Sequence, residues 1–373
     1  MELHRNHERR NEICSSAIIL KIYLFVPNSA KTERDIMKLN FNQIKEITTG
    51  AALVGKEDGM ISLKRFTKDQ EELYKATNQD VYNRTFSTAG IKFLFKTDSE
   101  SLFLKLKMMI ACTRKYFSVD IFVDGKPIGY IDNFSDIELP QDYTQIELPL
   151  GEFSKKFQLG KGEKTVCVYL PWSVKTLIEE ISIDDNAFCE GIKPKNKLIA
   201  YGDSITHGHD ALRPSNRYVA KLANMLNAEE FNKAIGGERF FPELAKLPDS
   251  FMPDYVTVAY GTNDWSRLDQ ETFKKKCKDF YTNISQIYPQ AKIFAITPIW
   301  RKDMNDYRLF GSFAEVEKDI KNAVKGIENI TVISGIDFVP KEEKYFADLR
   351  LHPNDDGFKC YAENLYKKIK AEI

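Results

Sequence analysis

The sequence lacks an excess of charge of either sign. Lysine plus arginine and aspartate plus glutamate each number 54, so the formal net charge is zero. A nucleic-acid-binding protein of this size usually has a basic excess or a basic stripe, and the sequence has neither. We therefore expect no nucleic acid as a partner, and a small, uncharged or mildly charged substrate instead.

The sequence also lacks a cysteine framework and a long hydrophobic run. Its six cysteines are scattered without a Cys-x-x-Cys pair, which indicates free thiols in a reducing compartment rather than disulfides or a zinc site. No stretch approaches the ~20 apolar residues that a membrane-spanning helix requires. We therefore expect a cytoplasmic protein. We also expect no cofactor.

The N-terminus allows two interpretations. Three arginines precede a short apolar stretch, residues 13–26, which is the pattern of a signal peptide, but Lys21 interrupts it where a charge is costly. Either residues 1–30 act as the signal peptide of a secreted protein, or residues 1–36 are an extension ahead of a true start at Met37.

Residues 37–191 are predicted to form a β-sandwich. Short runs alternate apolar with polar side chains, so one face of each strand is buried, and Asp124-Gly125 between two runs is typical of a hairpin turn. Regularly spaced strands without long helices favour a jelly-roll-like sandwich. The main predicted strands are Ile91–Phe95, Leu102–Leu106, Ser118–Val123, Gln145–Leu148 and Thr165–Leu170, with a short helix at Lys68–Ala76.

Residues 192–373 are predicted to form an α/β domain. Their strands are apolar on both faces and alternate with helices, which indicates a parallel sheet covered on both sides. In such sheets ligands bind at the carboxyl ends of the strands. The predicted strands are Leu198–Tyr201, Glu230–Ala234, Tyr255–Tyr260, Lys292–Thr297 and Ile330–Ser334, and the predicted helices Asn216–Leu226, Gln270–Ile287, Phe313–Ile327 and Asp355–Ile369.

Polar residues and glycines follow three of these strands and precede the last helix. Ser204 lies in a glycine-flanked turn after the first strand, where a side chain is presented at the edge of the sheet. Gly236-Gly237 follows the second strand, Asn263 follows the third, and His352 precedes the last helix. We expect these residues to meet at one edge of the sheet.

These residue types suit acyl transfer. A serine hydroxyl becomes a good nucleophile when an imidazole removes its proton, and His352 is the one separate candidate. His207 and His209 follow Ser204 in its own segment, where the next helix is expected to carry them outward. A tetrahedral oxyanion needs fixed donors, each of which contributes ~3–4 kcal/mol to stabilising the transition state.

The four blocks resemble the SGNH, or GDSL-like, hydrolase superfamily. The resemblance extends from Leu198 to the C-terminus, with the blocks in the family's order. It implies a three-layer, flavodoxin-like domain in which Ser204 is the nucleophile and His352 its base. By the same resemblance, the backbone N–H groups of Ser204 and Gly237 and the side-chain amide of Asn263 form the oxyanion hole.

One position departs from the family's pattern. The family usually has aspartate three residues before the histidine, and that position is Leu349 here, whereas Asp348 lies four residues before His352. Either the loop is one residue longer and Asp348 still orients the imidazole, or a backbone carbonyl orients it and the site is a Ser–His dyad. We include Asp348 in the predicted catalytic set.

Other side chains near the strand ends are candidate substrate contacts. We assign Trp265, Trp300 and His207 to this class, with core filling as the alternative for the two tryptophans. His207-x-His209 with Asp203 or Asp210 could bind zinc, but the sequence offers no separate ligand, so we expect no metal.

A sandwich domain ahead of an SGNH domain resembles some carbohydrate esterases that remove acetyl groups from sugars. This resemblance favours a serine esterase that hydrolyses short acyl esters, acetyl esters above all, on a glycan or another small molecule. The alternatives are a lysophospholipase or thioesterase of the same superfamily, and an inactive hydrolase scaffold that binds carbohydrate. The sequence does not determine the oligomeric state.

Overall fold

The first half of the described chain is built mainly from antiparallel strands. The computed structural model describes residues 35–373, so the two interpretations of the N-terminal segment concern residues that lie almost wholly outside it. The strands of this half are β1 (Ile36–Lys38), β2 (Thr48–Thr49), β3 (Leu53–Glu57), β4 (Met60–Lys64), β5 (Lys92–Thr97), β6 (Ser101–Ile110), β7 (Ser118–Val123), β8 (Lys126–Asp132), β9 (Glu152–Gln158), β10 (Lys164–Tyr169), β11 (Val174–Asp184) and β12 (Glu190–Gly191).

These strands form two sheets that enclose a common core. One sheet has the order β3-β4-β11-β6-β9 with β1 paired to β11, and the other has the order β12-β5-β10-β7-β8 with β2 paired to β5. Burial alternates along β6, as expected for a strand with one face in the core. Apolar side chains of both sheets share one buried cluster, so the predicted β-rich half is confirmed.

Local differences from the sequence prediction have physical reasons. Asp124 and Gly125 form the predicted hairpin turn with positive φ at both positions. Gln145–Leu148 is not a strand, because Ile146 and Leu148 pack against the core of the second half instead of joining a sheet. The helices of this half are α1 (Phe41–Ile47), α2 (Lys68–Thr77) and α3 (Gln79–Arg84), of which the sequence predicted only the second.

The second half contains a parallel sheet. Its order, β14-β13-β15-β16-β17, places the second strand outside the first, which is the flavodoxin-like order. The strands are β13 (Asn196–Gly202), β14 (Ala228–Asn232), β15 (Tyr255–Ala259), β16 (Lys292–Ile296) and β17 (Ile330–Ile333), and the helices α4 (Ser204–His207), α5 (Tyr218–Met225), α6 (Thr262–Arg267), α7 (Gln270–Ile287), α8 (Ala314–Ala323) and α9 (Asp355–Lys370).

Helices cover both faces of this sheet. Leu198 and Ala200 of β13 belong to the cluster that contains α5 and α9, whereas Ile199 and Tyr201 belong to the cluster that contains α7 and α8. Successive side chains of one strand are thus buried on opposite faces, which explains the continuous apolar run in the sequence. The predicted three-layer α/β architecture is confirmed.

The two halves share buried side chains. Tyr116, Phe134, Tyr143 and Trp172 of the first half lie in the cluster that packs on α5 and α9. Residues 35–373 form one compact unit, and the division into domains at residues 191 and 192 stays a prediction.

The described residues bear on two further expectations. Each cysteine in residues 35–373 is a free thiol. In the same range, no helix combines the length and apolar composition needed to cross a bilayer.

Candidate active site

The turn after β13 places Ser204 at the edge of the parallel sheet. Asp203 caps the short helix α4, because its Oδ1 accepts the N–H of Ile205 at 3.0 Å. A Cβ at Gly202 would lie 2.2 Å from Oγ1 of Thr206, so only glycine permits this close turn. Ser204 thereby becomes the first residue of α4, with its hydroxyl free to meet the loop that precedes α9.

The structure brings Ser204, His352 and Asp348 into one hydrogen-bonded row. Nε2 of His352 lies 2.9 Å from Oγ of Ser204, and Nδ1 lies 2.9 Å from Oδ2 of Asp348. Burial alone would lower the pKa of His352, but the hydrogen bond to Asp348 and the nearby carboxylates raise it. The two distances show that the imidazole is oriented with Nε2 toward the Ser204 hydroxyl and Nδ1 toward the Asp348 carboxylate.

The loop that carries Asp348 contains a left-handed turn. Leu349 adopts φ +55°, so the chain reverses between Asp348 and His352, which are four positions apart. The other carboxylate oxygen, Oδ1, accepts the N–H groups of Arg350, Leu351 and His352 at 2.7–3.0 Å. Burial would raise the pKa of Asp348, yet these bonds and the imidazole hold it well below its usual range. Of the two alternatives for this loop, the geometry matches the longer loop with Asp348 at the imidazole.

A second carboxylate, which the sequence analysis considered only as a metal ligand, also faces His352. Oδ2 of Asp210 lies 3.3 Å from Nδ1 of the imidazole, and the Asp210 side chain is fully buried. Arg114 of the first half holds it through Nε at 2.7 Å and Nη2 at 3.2 Å, and the hydroxyl of Tyr116 donates to it at 2.6 Å. No local pattern could reveal this cluster, because its members are about a hundred positions apart.

His207 and His209 do not point outward, contrary to the prediction. Helix α4 is a single turn, and Gly208, with φ +105°, ends it and returns the chain to the interior. His207 is fully buried, with Nδ1 accepting the N–H of Gly236 at 3.2 Å and Nε2 2.7 Å from Oγ of Ser87. Burial lowers the pKa of both histidines well below the usual value. The expected contact between His207 and substrate is therefore wrong, and this side chain supports the glycine turn instead.

Three hydrogen-bond donors lie on the elements that carry the other predicted residues. Gly237 has φ +82°, and within residues 35–373 its N–H and that of Ser204 have no protein acceptor. Nδ2 of Asn263 donates to the carbonyl of Glu238 at 3.0 Å, which uses one amide hydrogen and leaves the second available. This bond fixes the Asn263 side chain against the glycine turn.

The tryptophans divide into one core residue and one half-buried residue. Trp265 is fully buried, its Nε1 donates to the carbonyl of Gly311 at 2.9 Å, and its ring packs edge-on against Phe313. Its predicted contact with substrate is therefore wrong, and core filling explains it. Trp300 is half-buried with its ring centroid 5.1 Å from that of Phe346, and its role stays a prediction. Among residues 35–373, no group of three or more His, Cys, Asp or Glu side chains could hold a metal ion.

Comparisons with known proteins bear on the fold and on the class of residues 200–360. Residues 200–360 match the GDSL-like lipase/acylhydrolase family model, and the comparison with curated proteins gave no match. A salicylyl-acyltransferase of a tetracycline biosynthetic pathway is 19% identical with a TM-score of 0.72, covering 87% of this chain and 94% of its own. A GDSL-like lipase described as putative, from Bacteroides ovatus, is 19% identical with a TM-score of 0.70, covering 90% of this chain and 98% of its own. An acetyl xylan esterase of Butyrivibrio proteoclasticus is 16% identical with a TM-score of 0.60, covering 91% of this chain and 98% of its own.

At these identities the solved structures establish the fold, and the family model establishes the class of the second half. The matched residues 200–360 contain the serine turn, the glycine turn, the asparagine helix and the histidine loop described above. The second half of this chain is accordingly an SGNH, GDSL-like hydrolase domain, and the protein is a carboxylic ester hydrolase.

Proposed function

We propose that the protein is a serine esterase that removes short acyl groups, acetyl groups above all, from a carbohydrate. One observation carries the mechanism: Ser204, His352 and Asp348 form a continuous row with both hydrogen bonds at 2.9 Å. As Oγ of Ser204 attacks the acyl carbonyl, His352 takes the hydroxyl proton, and Asp348 stabilises the resulting imidazolium.

The acyl-enzyme then forms and is hydrolysed. The tetrahedral oxyanion accepts hydrogen bonds from the N–H groups of Ser204 and Gly237 and from the free amide hydrogen of Asn263. His352 returns its proton to the leaving alkoxide, and the C–O bond of the ester breaks. Water next attacks the acyl group on Ser204, with His352 as base, and releases the carboxylic acid and the free serine.

The carbohydrate assignment is supported by the breadth of the structural similarity. The acetyl xylan esterase aligns over 91% of this chain, so the likeness includes the antiparallel half as well as the hydrolase half. A carbohydrate esterase family 2 enzyme aligns over 76% of the chain, with 22% identity and a TM-score of 0.52. The fold alone does not select a substrate, so acetylated sugar as the substrate is a proposal.

Turnover of p-nitrophenyl acetate tests the catalytic roles. We expect Ser204→Ala and His352→Ala each to lower kcat/KM by at least ~1,000-fold, and the double variant to lose little more, because the two side chains act as a unit. Ser285→Ala, which removes a hydroxyl that donates to the carbonyl of Thr282 within α7, is the matched control and keeps the wild-type rate. Undiminished turnover by Ser204→Ala would disprove the nucleophile assignment.

An acyl-length series and an acetylated-sugar panel test the substrate class. We expect acetyl esters to be hydrolysed faster than octanoyl and palmitoyl esters. A preference for long chains would instead support a lysophospholipase or thioesterase. Sugar binding without labelling of Ser204 by a fluorophosphonate would support an inactive scaffold.

A further inference from the structure

A cavity of about 470 Å³ has Gly237 in its wall. The rest of its wall comes from α2 and α3 of the first half, from residues 238–243 after the glycine turn, and from α6 and α7. The N–H of Gly237 is one of the donors proposed for the reacting carbonyl. A substrate bound at that N–H therefore extends beside this cavity.

The arginines that lack a carboxylate partner are concentrated in this cavity. Most arginines in residues 35–373 lie within 4.0 Å of a carboxylate oxygen. Arg65 donates instead to carbonyl and hydroxyl oxygens of the interior. Within residues 35–373, three other arginines have no carboxylate oxygen within 4.0 Å: Arg84, Arg239 and Arg267. All three line the cavity.

Each of these arginines neighbours a group of the proposed oxyanion hole. Arg84 donates from Nη1 to the carbonyl that precedes Gly237. Arg239 lies two residues after Gly237 on the same turn. Arg267 lies four residues after Asn263 on α6, and side chains spaced by four share one face of a helix. The positive charge of the cavity therefore lies on or against the elements that carry two of the donors proposed for the oxyanion.

The acidic residues of the cavity leave this charge largely uncompensated. Asp80 and Glu243 are exposed to solvent, whereas Arg84 and Arg239 are half-buried, and none of these four forms an ion pair with another. The carboxyl of Glu238 accepts hydrogen bonds from the hydroxyls of Tyr74 and Tyr260, at 3.1 and 3.2 Å. Burial raises the pKa of Glu238 to about 8, so this group is mostly neutral at pH 7.

We propose that this cavity is a subsite for a carboxylate on the sugar that bears the ester. This inference rests on the proposed function and specifies its substrate class as an acidic sugar. A guanidinium presents paired N–H groups that match the two oxygens of a carboxylate. Arg239 and Arg267 supply these donors, and the subsite positions the ester carbonyl at Gly237.

Two acetylated sugars that differ only at carbon 6 test the proposal. We expect kcat/KM for an acetylated methyl glucuronoside to exceed that for the matching acetylated methyl glucoside by at least ~10-fold, because charge-assisted hydrogen bonds are worth a tenfold effect or more. The ratio falls with added salt, because the arginines are partly exposed. The double variant with Arg239→Gln and Arg267→Gln brings the ratio close to one. The control is Lys278→Gln, at an exposed position of α7, which leaves the ratio unchanged.

The outcomes separate this inference from the proposed function. Equal kcat/KM for the two sugars in the wild-type protein overturns the subsite, and a preserved ratio in the double variant overturns its assignment to these arginines. If the wild-type protein hydrolyses neither of the two sugars and also fails to hydrolyse p-nitrophenyl acetate, the proposed function itself is overturned. Arg267→Gln alone, at an exposed position, provides a folded variant that is expected to lower the ratio at least threefold.

Discussion

The two halves of the molecule supply different parts of the site. The parallel-sheet half provides every group that is proposed to react, because its strand ends and loops carry Ser204, Asn263 and His352. The antiparallel half provides two arginines that reach across to the surroundings of those groups. Arg65 binds the backbone ahead of the glycine turn, and Arg114 binds Asp210 beside His352. The comparison teaches that the reacting set is local to one sheet, whereas its support is not.

The support takes two forms. Arg65 is fully buried and donates to the carbonyls of Asn232 and Ala234 in the strand and turn that lead to the glycines, as well as to groups of its own half. Burial lowers the pKa of Arg65 to about 10, so it stays charged at neutral pH. Arg114 instead neutralises Asp210, which faces the imidazole of His352.

Removing Arg65 is the strongest way to break the link between the halves. We expect Arg65→Met to lower the free energy of unfolding by ~3–5 kcal/mol, because several buried carbonyls lose their donor at once. Urea denaturation measures the change. Lys156→Met, at an exposed position of β9, is the control and changes stability by less than ~0.5 kcal/mol. A loss below ~1 kcal/mol for Arg65→Met would mean that these carbonyls find other donors.

A pair of glycines sharpens the comparison between enclosed and open turns. Gly208 and Gly311 have φ of +105° and +103°, but an added Cβ would lie 2.0 Å from Cδ of Arg217 at Gly208 and would meet nothing at Gly311. Arg217 is fixed by a buried ion pair with Glu230, which lies against Gly90 of the first half. We expect Gly208→Ala to cost ~3 kcal/mol of stability and Gly311→Ala ~1 kcal/mol. Equal losses in urea denaturation would show that backbone strain alone matters.

Two aspartates from different parts of the site give the smallest effect. Negative charge beside Nδ1 raises the pKa of His352, and catalysis requires the neutral imidazole, so activity falls on the acid side as His352 is protonated. Asp210→Asn and Asp348→Asn each remove one negative charge. Each variant should move the acid limb of kcat/KM to lower pH by ~0.5 or more and lower kcat by ~10-fold.

The pH profile distinguishes a positioning role for Asp210 from a merely structural one. A fall in kcat with an unmoved acid limb would mean that Asp210 only maintains the fold. Arg114→Met leaves Asp210 buried without its cation, and we expect it to add little to the loss of Asp210→Asn in the double variant. Asp136→Asn, at an exposed position, is the control with an unchanged profile.

Hydrophobic periodicity and glycine position determined much of this protein from the sequence. Alternating runs predicted the antiparallel half, continuous apolar runs predicted the parallel sheet, and α7 was predicted with the bounds that it has, Gln270–Ile287. These features are predictable because they depend on residues that are near each other in the chain. The same reasoning selected Ser204, because strand ends of a parallel sheet share one edge, whereas His352 was selected as the one histidine separate from the segment of Ser204 and from the N-terminal tail.

Only the tertiary structure decided which side chains complete that edge. The left-handed turn at Leu349 brings Asp348 to the imidazole, and the single turn of α4 buries His207 where a longer helix would have exposed it. Asp210 and Arg114 meet across 96 positions. Such contacts depend on how the two halves pack, and packing is a property of the whole fold that no short stretch of sequence contains.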